Sequence, residues 1–106
     1  MLKFLVVIYK LPAPSEAEFA RFLREVHGPL AEKLPGLKGY VQNFPVPDPK
    51  RKHPGWNAVV ELYFDNWKAM EASWRSPEGI AATDDLRMFA DLQRSTWSVV
   101  EERRVR

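Results

Sequence analysis

The sequence predicts one α+β domain, residues 1–106, whose elements follow the order β-α-β-β-α-β. Three observations support this prediction. The first segment is rich in β-branched and aromatic residues, two segments carry apolar residues at helical spacing, and three later segments alternate at strand spacing. No internal repeat, low-complexity tract or shift of composition divides the chain, and its length is close to the commonest domain size.

The first predicted strand, residues 2–10, is apolar on both of its alternating faces. One face carries Leu2, Phe4, Val6 and Ile8, and the other carries Leu5, Val7 and Tyr9. A strand with one face in water should alternate apolar and polar residues, so this strand is predicted to be covered on both sides. It is the first indication of a partner subunit.

The first predicted helix begins at Ser15, which forms a capping-box pattern with Glu18. Its apolar residues then recur at helical spacing, at Phe19, Phe22, Leu23, Val26 and Leu30. His27 lies at the margin of this apolar stripe. Pro29 predicts a kink, because proline lacks an N–H and clashes with the carbonyl four residues back. Residues 34–36, Leu-Pro-Gly, end the helix.

Residues 37–44 and 56–65 read as the second and third strands, and residues 96–102 as the last. The third strand has one apolar face, with Glu61 and Tyr63 on the other. A proline-rich loop between the second and third strands carries a basic cluster, Lys50, Arg51, Lys52 and His53. We expect this cluster to be solvated.

Asp65 or Asn66 is predicted to cap the second helix, which carries Trp67, Met70 and Trp74 on one face. Ser76 followed by Pro77 restarts it, as an N-cap followed by proline at the first helical position. This order of elements is a ferredoxin-like arrangement, an antiparallel four-stranded sheet with helices on one face only. The other face must meet water or a partner, and the first strand favours the partner.

The composition excludes several classes of function. The chain has no cysteine, which rules out disulfides, thiolate nucleophiles and cysteine-bound zinc. Its net charge of +2 is spread along the chain, so nucleic acid is not an expected partner. The apolar first segment is too short to cross a bilayer, and a cytoplasmic location is expected. No phosphate-binding glycine motif or local metal motif is present, so no metal and no cofactor are predicted.

His27, Tyr40 and Glu61 are the candidate catalytic residues. His27 has the chemistry of a general acid or base, although a histidine that only fixes the kink is the alternative. Tyr40 could orient His27 or donate a hydrogen bond to a ligand, or could be a core residue. Glu61 could be a second acid or base, and the alternative is a cross-strand ion pair.

Candidate ligand-binding residues share the predicted apolar or mixed faces of these elements; they are Phe22, Leu23, Gln42, Tyr63, Trp67 and Trp97. The tryptophans could wall an apolar cavity or simply belong to the core.

Four motifs, in order along the chain, resemble the EthD family, named for ethyl tert-butyl ether degradation. They are the first strand ending in Tyr9-Lys10; Phe19 followed by residues 25–30, Glu-Val-His-Gly-Pro-Leu; residues 34–37 with Tyr40; and residues 61–65 leading to residues 76–79. The resemblance implies a homodimer, a dimeric α+β barrel, with a small cavity between each sheet and its helices. It also implies action on apolar or aromatic small molecules without a metal, and the family is often grouped with oxidoreductases.

One position departs from the family pattern. Leu23 stands where many relatives carry tryptophan, so the resemblance implies a cavity of different shape here. The expected function is binding of a small apolar or aromatic oxygenated molecule by a homodimer. His27 would act in cofactor-free proton transfer of the isomerase, cyclase, decarboxylase or oxygenase type. Two alternatives stay open, a non-catalytic ligand-binding or accessory protein and a structural dimer module without a cavity.

Overall fold

The computed structural model describes residues 1–106 and has the predicted order of elements. Its strands are β1 (Leu2–Ile8), β2 (Gly39–Asn43), β3 (Ala58–Phe64) and β4 (Thr96–Val100). Its helices are α1 (Glu16–Phe22), α2 (Gly28–Ala31), α3 (Trp67–Arg75) and α4 (Pro77–Leu86), with a π-helical turn, Leu23–His27, between α1 and α2. None of these helices is long and apolar enough to cross a membrane. The predicted α+β class is confirmed.

The four strands form one sheet in the order β2-β3-β1-β4, and every neighbouring pair is antiparallel. Val6 of β1 lies opposite Val60 on one side and Trp97 on the other. Tyr40 of β2 lies opposite Leu62 of β3. Because directly paired residues share a face, the register places Tyr40 and Trp97 on the same side of the sheet as the core of β1 and β3.

The hydrophobic core lies between this face and the helices. Its strand residues are Val6, Ile8, Ala58, Val60, Leu62 and Phe64, and its helical residues include Phe19, Phe22, Leu23, Met70 and Leu86. The opposite face has no helix on it, and Leu5, Val7 and Val59 are only half-buried there. Within one chain, β1 is therefore covered on one face, and the other face stays open to a partner.

Side-chain caps fix the ends of the helices where the sequence predicts them. Ser15 Oγ accepts from the Glu18 backbone N–H at 3.1 Å, and Glu18 Oε1 accepts from the Ser15 N–H at 2.8 Å. Asn66, rather than Asp65, caps α3, and Ser76 Oγ caps α4 at 3.0 Å. Each cap stabilises its helix by about 1 kcal/mol.

The interruption predicted at Pro29 is a π-helical turn rather than a simple kink. The Gly28 backbone N–H donates to the Leu23 carbonyl five residues back, and a new helix then begins with Pro29 in its first turn. A first-turn position needs no backbone N–H, so proline is tolerated there. The widened turn ends at His27, and turns of this kind often occur at functional sites.

Candidate functional site

A cavity of about 60 Å³ lies between the sheet and the helices. Its wall is almost entirely apolar and draws on all four strands and on α3 and α4, including Phe4, Val60, Leu62, Trp74, Trp97 and Leu86. Polar groups reach it from three side chains, His27, Tyr40 and Thr83. An apolar cavity with a few polar groups is the usual form of a small-molecule site.

His27 is buried, with 8% of its surface exposed, and its ring is held by one hydrogen-bond partner. Its Nδ1 lies 3.1 Å from Asp85 Oδ2. An ionised carboxylate only accepts hydrogen bonds, so Nδ1 carries the hydrogen, and Nε2 has the lone pair when the ring is neutral. The pair thus fixes both the orientation and the tautomer of the imidazole.

Burial and Asp85 act on the pKa of His27 in opposite directions. Removal from water disfavours the imidazolium and lowers the pKa, while the hydrogen bond and the charge of Asp85 raise it. Burial is the larger effect, and the pKa falls below its usual value of 6.5. Near neutral pH the ring is therefore a neutral base, and the Asp85 carboxylate stabilises the imidazolium that forms when this base takes a proton.

Asp85 was not identified from the sequence. It lies 58 residues after His27, so no local spacing connects the two. A signal was nevertheless present on α4, because Asp85 follows Ala82 and precedes Leu86, both of which are buried. A carboxylate on the apolar side of a predicted helix usually has a partner, since leaving it buried and unpaired is costly.

Tyr40 and Gln42 approach the same π-helical turn from β2. Gln42 Nε2 donates to the Leu23 carbonyl at 2.9 Å and to Tyr40 Oη at 2.8 Å. Tyr40 lines the cavity, and burial raises the pKa of its phenol. The hydroxyl therefore keeps its proton at neutral pH.

Glu61 and Tyr63 lie on the helix-free face, away from the cavity. Glu61 pairs with Lys3 at 2.5 Å, accepts from Asn43 at 2.8 Å and accepts from the Tyr63 hydroxyl at 3.2 Å. Lys3 holds the pKa of Glu61 below its usual range. The structure places Glu61 on the opposite face of the sheet from His27, too far round to act beside it within one chain. It matches the alternative, a cross-strand ion pair.

The other predicted ligand-binding residues lie in three different places. Trp97 lines the cavity with 42% of its surface exposed, so it belongs to the rim. Phe22 and Leu23 are buried in the core, and the Phe22 ring stacks on Phe89 with centroids 3.9 Å apart. Trp67 is 57% exposed and is absent from both core and cavity; it is the first residue of α3, one end of the helix face that carries Trp74. Of the side chains on that helix, Trp74 lines the cavity.

The basic loop forms surface ion pairs. Arg51 pairs with Asp48 at 3.1 Å, and His53 lies 2.6 Å from Glu16 of α1. Lys50 and Lys52 are exposed. No three His, Asp or Glu side chains come together in an arrangement that could hold a metal ion.

Comparison with known proteins supports the fold. The EthD domain model matches residues 11–93. An EthD family protein of Bacillus halodurans is 27% identical over 97% of this chain and 100% of its own, with a TM-score of 0.79. A dimeric protein of unknown function with a ferredoxin-like fold, from Bacteroides fragilis, is 16% identical over 95% of each chain, with a TM-score of 0.70.

A more distant structure is SnoaB, a cofactor-independent oxygenase from Streptomyces nogalater. It is 12% identical over 98% of this chain and 94% of its own, with a TM-score of 0.67. No protein of curated function matches this chain in sequence. The ferredoxin-like fold predicted from the sequence is confirmed.

Proposed function

We propose that this chain, which belongs to the EthD family, binds a small and largely apolar molecule beside His27 and transfers a proton to or from it without a cofactor. The observation that carries the proposal is the pairing of His27 with Asp85 at the wall of an otherwise apolar cavity. A buried titratable group with a lowered pKa and a fixed partner is a common feature of catalytic sites.

The proposed step uses only groups of this chain. His27 Nε2 takes a proton from a C–H or O–H of the ligand, and the bonding electron pair stays on the ligand. The imidazolium that forms faces the Asp85 carboxylate, and the same proton then returns to a different atom of the ligand. The atoms and electrons balance without an added oxidant, so the net change is an isomerisation or the first step of a cyclisation.

The fold also carries a cofactor-independent oxygenase, SnoaB. That likeness is one of fold, and an oxygenase reaction is not part of the proposal.

The proposed assembly is a homodimer in which the helix-free faces of two sheets meet. Leu5, Val7 and Val59 are only half-buried on this face, and Val41 is exposed, so the face offers apolar surface to a second copy. A structural neighbour with this fold is dimeric. The buried cavity lies on the other side of each sheet, so each copy would hold its own site.

Deuterium uptake from D₂O into a small ketone tests the proton transfer directly, because it needs no knowledge of the net reaction. Cyclopentanone has acidic C–H groups, and its exchange can be followed by proton NMR. We expect the wild-type protein to speed exchange, and we expect His27→Gln to abolish the acceleration. Glu61→Gln, on the other face, serves as the matched control and should exchange like wild type.

The same experiment distinguishes the non-catalytic alternative. Binding of cyclopentanone that shifts the indole resonances of Trp74 and Trp97, without any accelerated exchange, would favour a binding protein. Absence of both binding and exchange would contradict the proposed function.

A further inference from the structure

We propose that Gln42 is a positioning residue that fixes the Tyr40 hydroxyl as a hydrogen-bond donor, so that the site selects ligands with an acceptor oxygen, of the carbonyl or ether type. This inference rests on the proposed function of the cavity and names the class of molecule that the cavity takes. Two hydrogen bonds of the Gln42 amide support it.

The orientation of the Gln42 amide follows from its partners. The Leu23 carbonyl lies 2.9 Å from one terminal atom of Gln42, and a carbonyl oxygen can only accept. That atom is therefore the amide nitrogen, and its second hydrogen points to Tyr40 Oη at 2.8 Å. Both hydrogens of the nitrogen are then in use, and neither contact can be reversed.

The direction of the hydrogen bond between Gln42 and Tyr40 is therefore fixed. The Tyr40 oxygen already accepts from Gln42, and an amide nitrogen cannot accept in return. The phenolic proton is thus free to donate, because the hydrogen bond that the Tyr40 hydroxyl makes within the protein is the one it accepts from Gln42. Burial keeps the phenol protonated at neutral pH, so the donor persists.

Tyr40 also lies at one side of the cavity, next to a depression in the protein surface. The cavity of about 60 Å³ is smaller than the cavity of roughly 150 Å³ that holds benzene in another protein. A ring-sized ligand therefore extends beyond it. Tyr40 is the residue shared between the cavity and a polar surface depression of about 300 Å³, which Arg24, Glu32 and Gln42 also line.

These observations define the ligand. Its apolar body occupies the cavity beside His27, and its oxygen lies at Tyr40, where the depression begins. An oxygen that only accepts satisfies the Tyr40 proton. A hydrocarbon of the same shape cannot accept that proton, and without this hydrogen bond it binds more weakly. The carbonyl also makes the adjacent C–H acidic, in keeping with a neutral His27 base.

Three five-membered rings of similar shape test the inference: cyclopentanone, methylenecyclopentane and cyclopentanol. Their affinities can be measured by NMR titration of the Trp74 and Trp97 indole N–H resonances. We expect wild type to bind the ketone about three- to tenfold more tightly than the hydrocarbon, which is the effect of one neutral hydrogen bond. The alcohol should lie between them, because its hydroxyl can also accept.

Gln42→Glu is the decisive variant, because a carboxylate at this position accepts the Tyr40 proton and takes the donor away from the ligand. We expect the preference for ketone over hydrocarbon to disappear while the affinity for the hydrocarbon stays within about twofold of wild type. Tyr40→Phe should also lose the preference for ketone over hydrocarbon, and it leaves Gln42 in place. This second variant tests the inference if Gln42→Glu fails to fold.

A Gln42 that only supports the π-helical turn would give a different pattern, in which all three affinities fall together. That pattern, or equal binding of ketone and hydrocarbon by wild type, would overturn the inference while leaving the proposed function intact. Failure of wild type to bind any of the three rings would overturn both.

Discussion

Gly28 and Gln42 approach so closely that a side chain at residue 28 would disturb the contact between β2 and the π-helical turn. A Cβ atom on Gly28 would lie 3.4 Å from Gln42 Nε2 and 3.0 Å from the Leu23 carbonyl oxygen. The Leu23 carbonyl is the acceptor that both residues share. The absence of a side chain at Gly28 therefore lets the Gln42 amide reach the turn.

Gly28→Ala tests this relationship. In an ordinary helix the change stabilises a protein by about 0.5–1 kcal/mol. Here the new methyl group presses on the Leu23 carbonyl, and we expect a net loss of about 1 kcal/mol in the free energy of unfolding, measured by urea denaturation. The preference for cyclopentanone should weaken with it. An ordinary gain in stability would show that the contact is looser than the structure indicates.

The two substitutions at His27 separate catalysis from structure. His27→Gln can keep a hydrogen bond to Asp85 but cannot move a proton, so the exchange rate should fall by about 10²–10⁴-fold with little change in stability. His27→Ala leaves the half-buried Asp85 side chain without its partner and should cost about 1–3 kcal/mol. Exchange kinetics and thermal melting of both variants provide the measurement. A His27→Ala protein that melts and exchanges like wild type would remove His27 from the site.

The stability of the protein should depend on pH through His27. Its folded-state pKa lies below 6.5, so below that pH the unfolded chain binds a proton that the folded chain resists. The stabilising contribution is complete above pH 6.5 and is lost as the pH falls toward the lowered folded-state value. The free energy of unfolding should therefore decrease as the pH falls below about 6.5, by at most about 1.4 kcal/mol per pH unit.

His27→Gln provides the control for that pH dependence, since it should flatten the curve in this window. Glu18, Asp48 and Glu61 have lowered folded-state pKa values, so their contributions are lost at more acidic pH. Urea denaturation at closely spaced pH values can separate the pH range that depends on His27 from the more acidic range that depends on the carboxyl groups. An unchanged slope just below pH 6.5 in the variant would contradict the assignment to His27.

A charge on the helix-free face should weaken the proposed dimer. An obligate interface buries about 2,000 Å² or more and has an apolar centre. Val7→Asp would place a carboxylate in that centre, and we expect the protein to shift toward a 12.3 kDa monomer in sedimentation equilibrium. Ile80→Asp is the matched control, because Ile80 is an exposed apolar residue on α4, away from the sheet. A wild-type protein that is monomeric at low micromolar concentration would contradict the assembly.

Glu61→Gln should change stability and leave proton transfer unchanged. The variant weakens the pairing of Lys3, whose side chain is largely buried, although Glu102 still lies 3.0 Å from its Nζ. Because one partner remains, we expect a loss of about 1–2 kcal/mol, less than for a buried pair broken completely. Denaturation and deuterium exchange measured on the same sample test the prediction. A fall in exchange comparable to that of His27→Gln would return Glu61 to the site.

Local patterns allowed much of the fold to be predicted from the sequence. The Ser15 and Glu18 cap and the Ser76 cap depend on residues three positions apart, and the structure shows both. The alternation of apolar and polar residues along the third strand also predicts correctly which side chains face the core, and it places Glu61 on the other face. The family resemblance implies a cavity between the sheet and the helices. Glu61 lies on the opposite face of the sheet, so it does not fit that cavity.

The candidate site was harder to predict because its key contacts are tertiary. Asp85 reaches His27 across 58 residues, and Gln42 reaches Leu23 across 19. Neither separation corresponds to the repeat of a single helix or strand, so no local sequence pattern connects these residues. Trp67 was misplaced for a related reason. It shares helical spacing with Met70 and Trp74, but it is the first residue of α3, and 57% of its surface is exposed.

The position of β1 in the sheet has a consequence for synthesis of the chain. β1 is translated first, yet it is a central strand, and its neighbours β3 and β4 are translated long afterwards. During translation its apolar residues have no sheet to join, and unpaired strand edges are prone to aggregate. Only the emergence of Thr96–Val100 closes the second edge of β1 and adds Trp97 to the cavity. The nascent chain therefore completes its sheet and its cavity in the same late step.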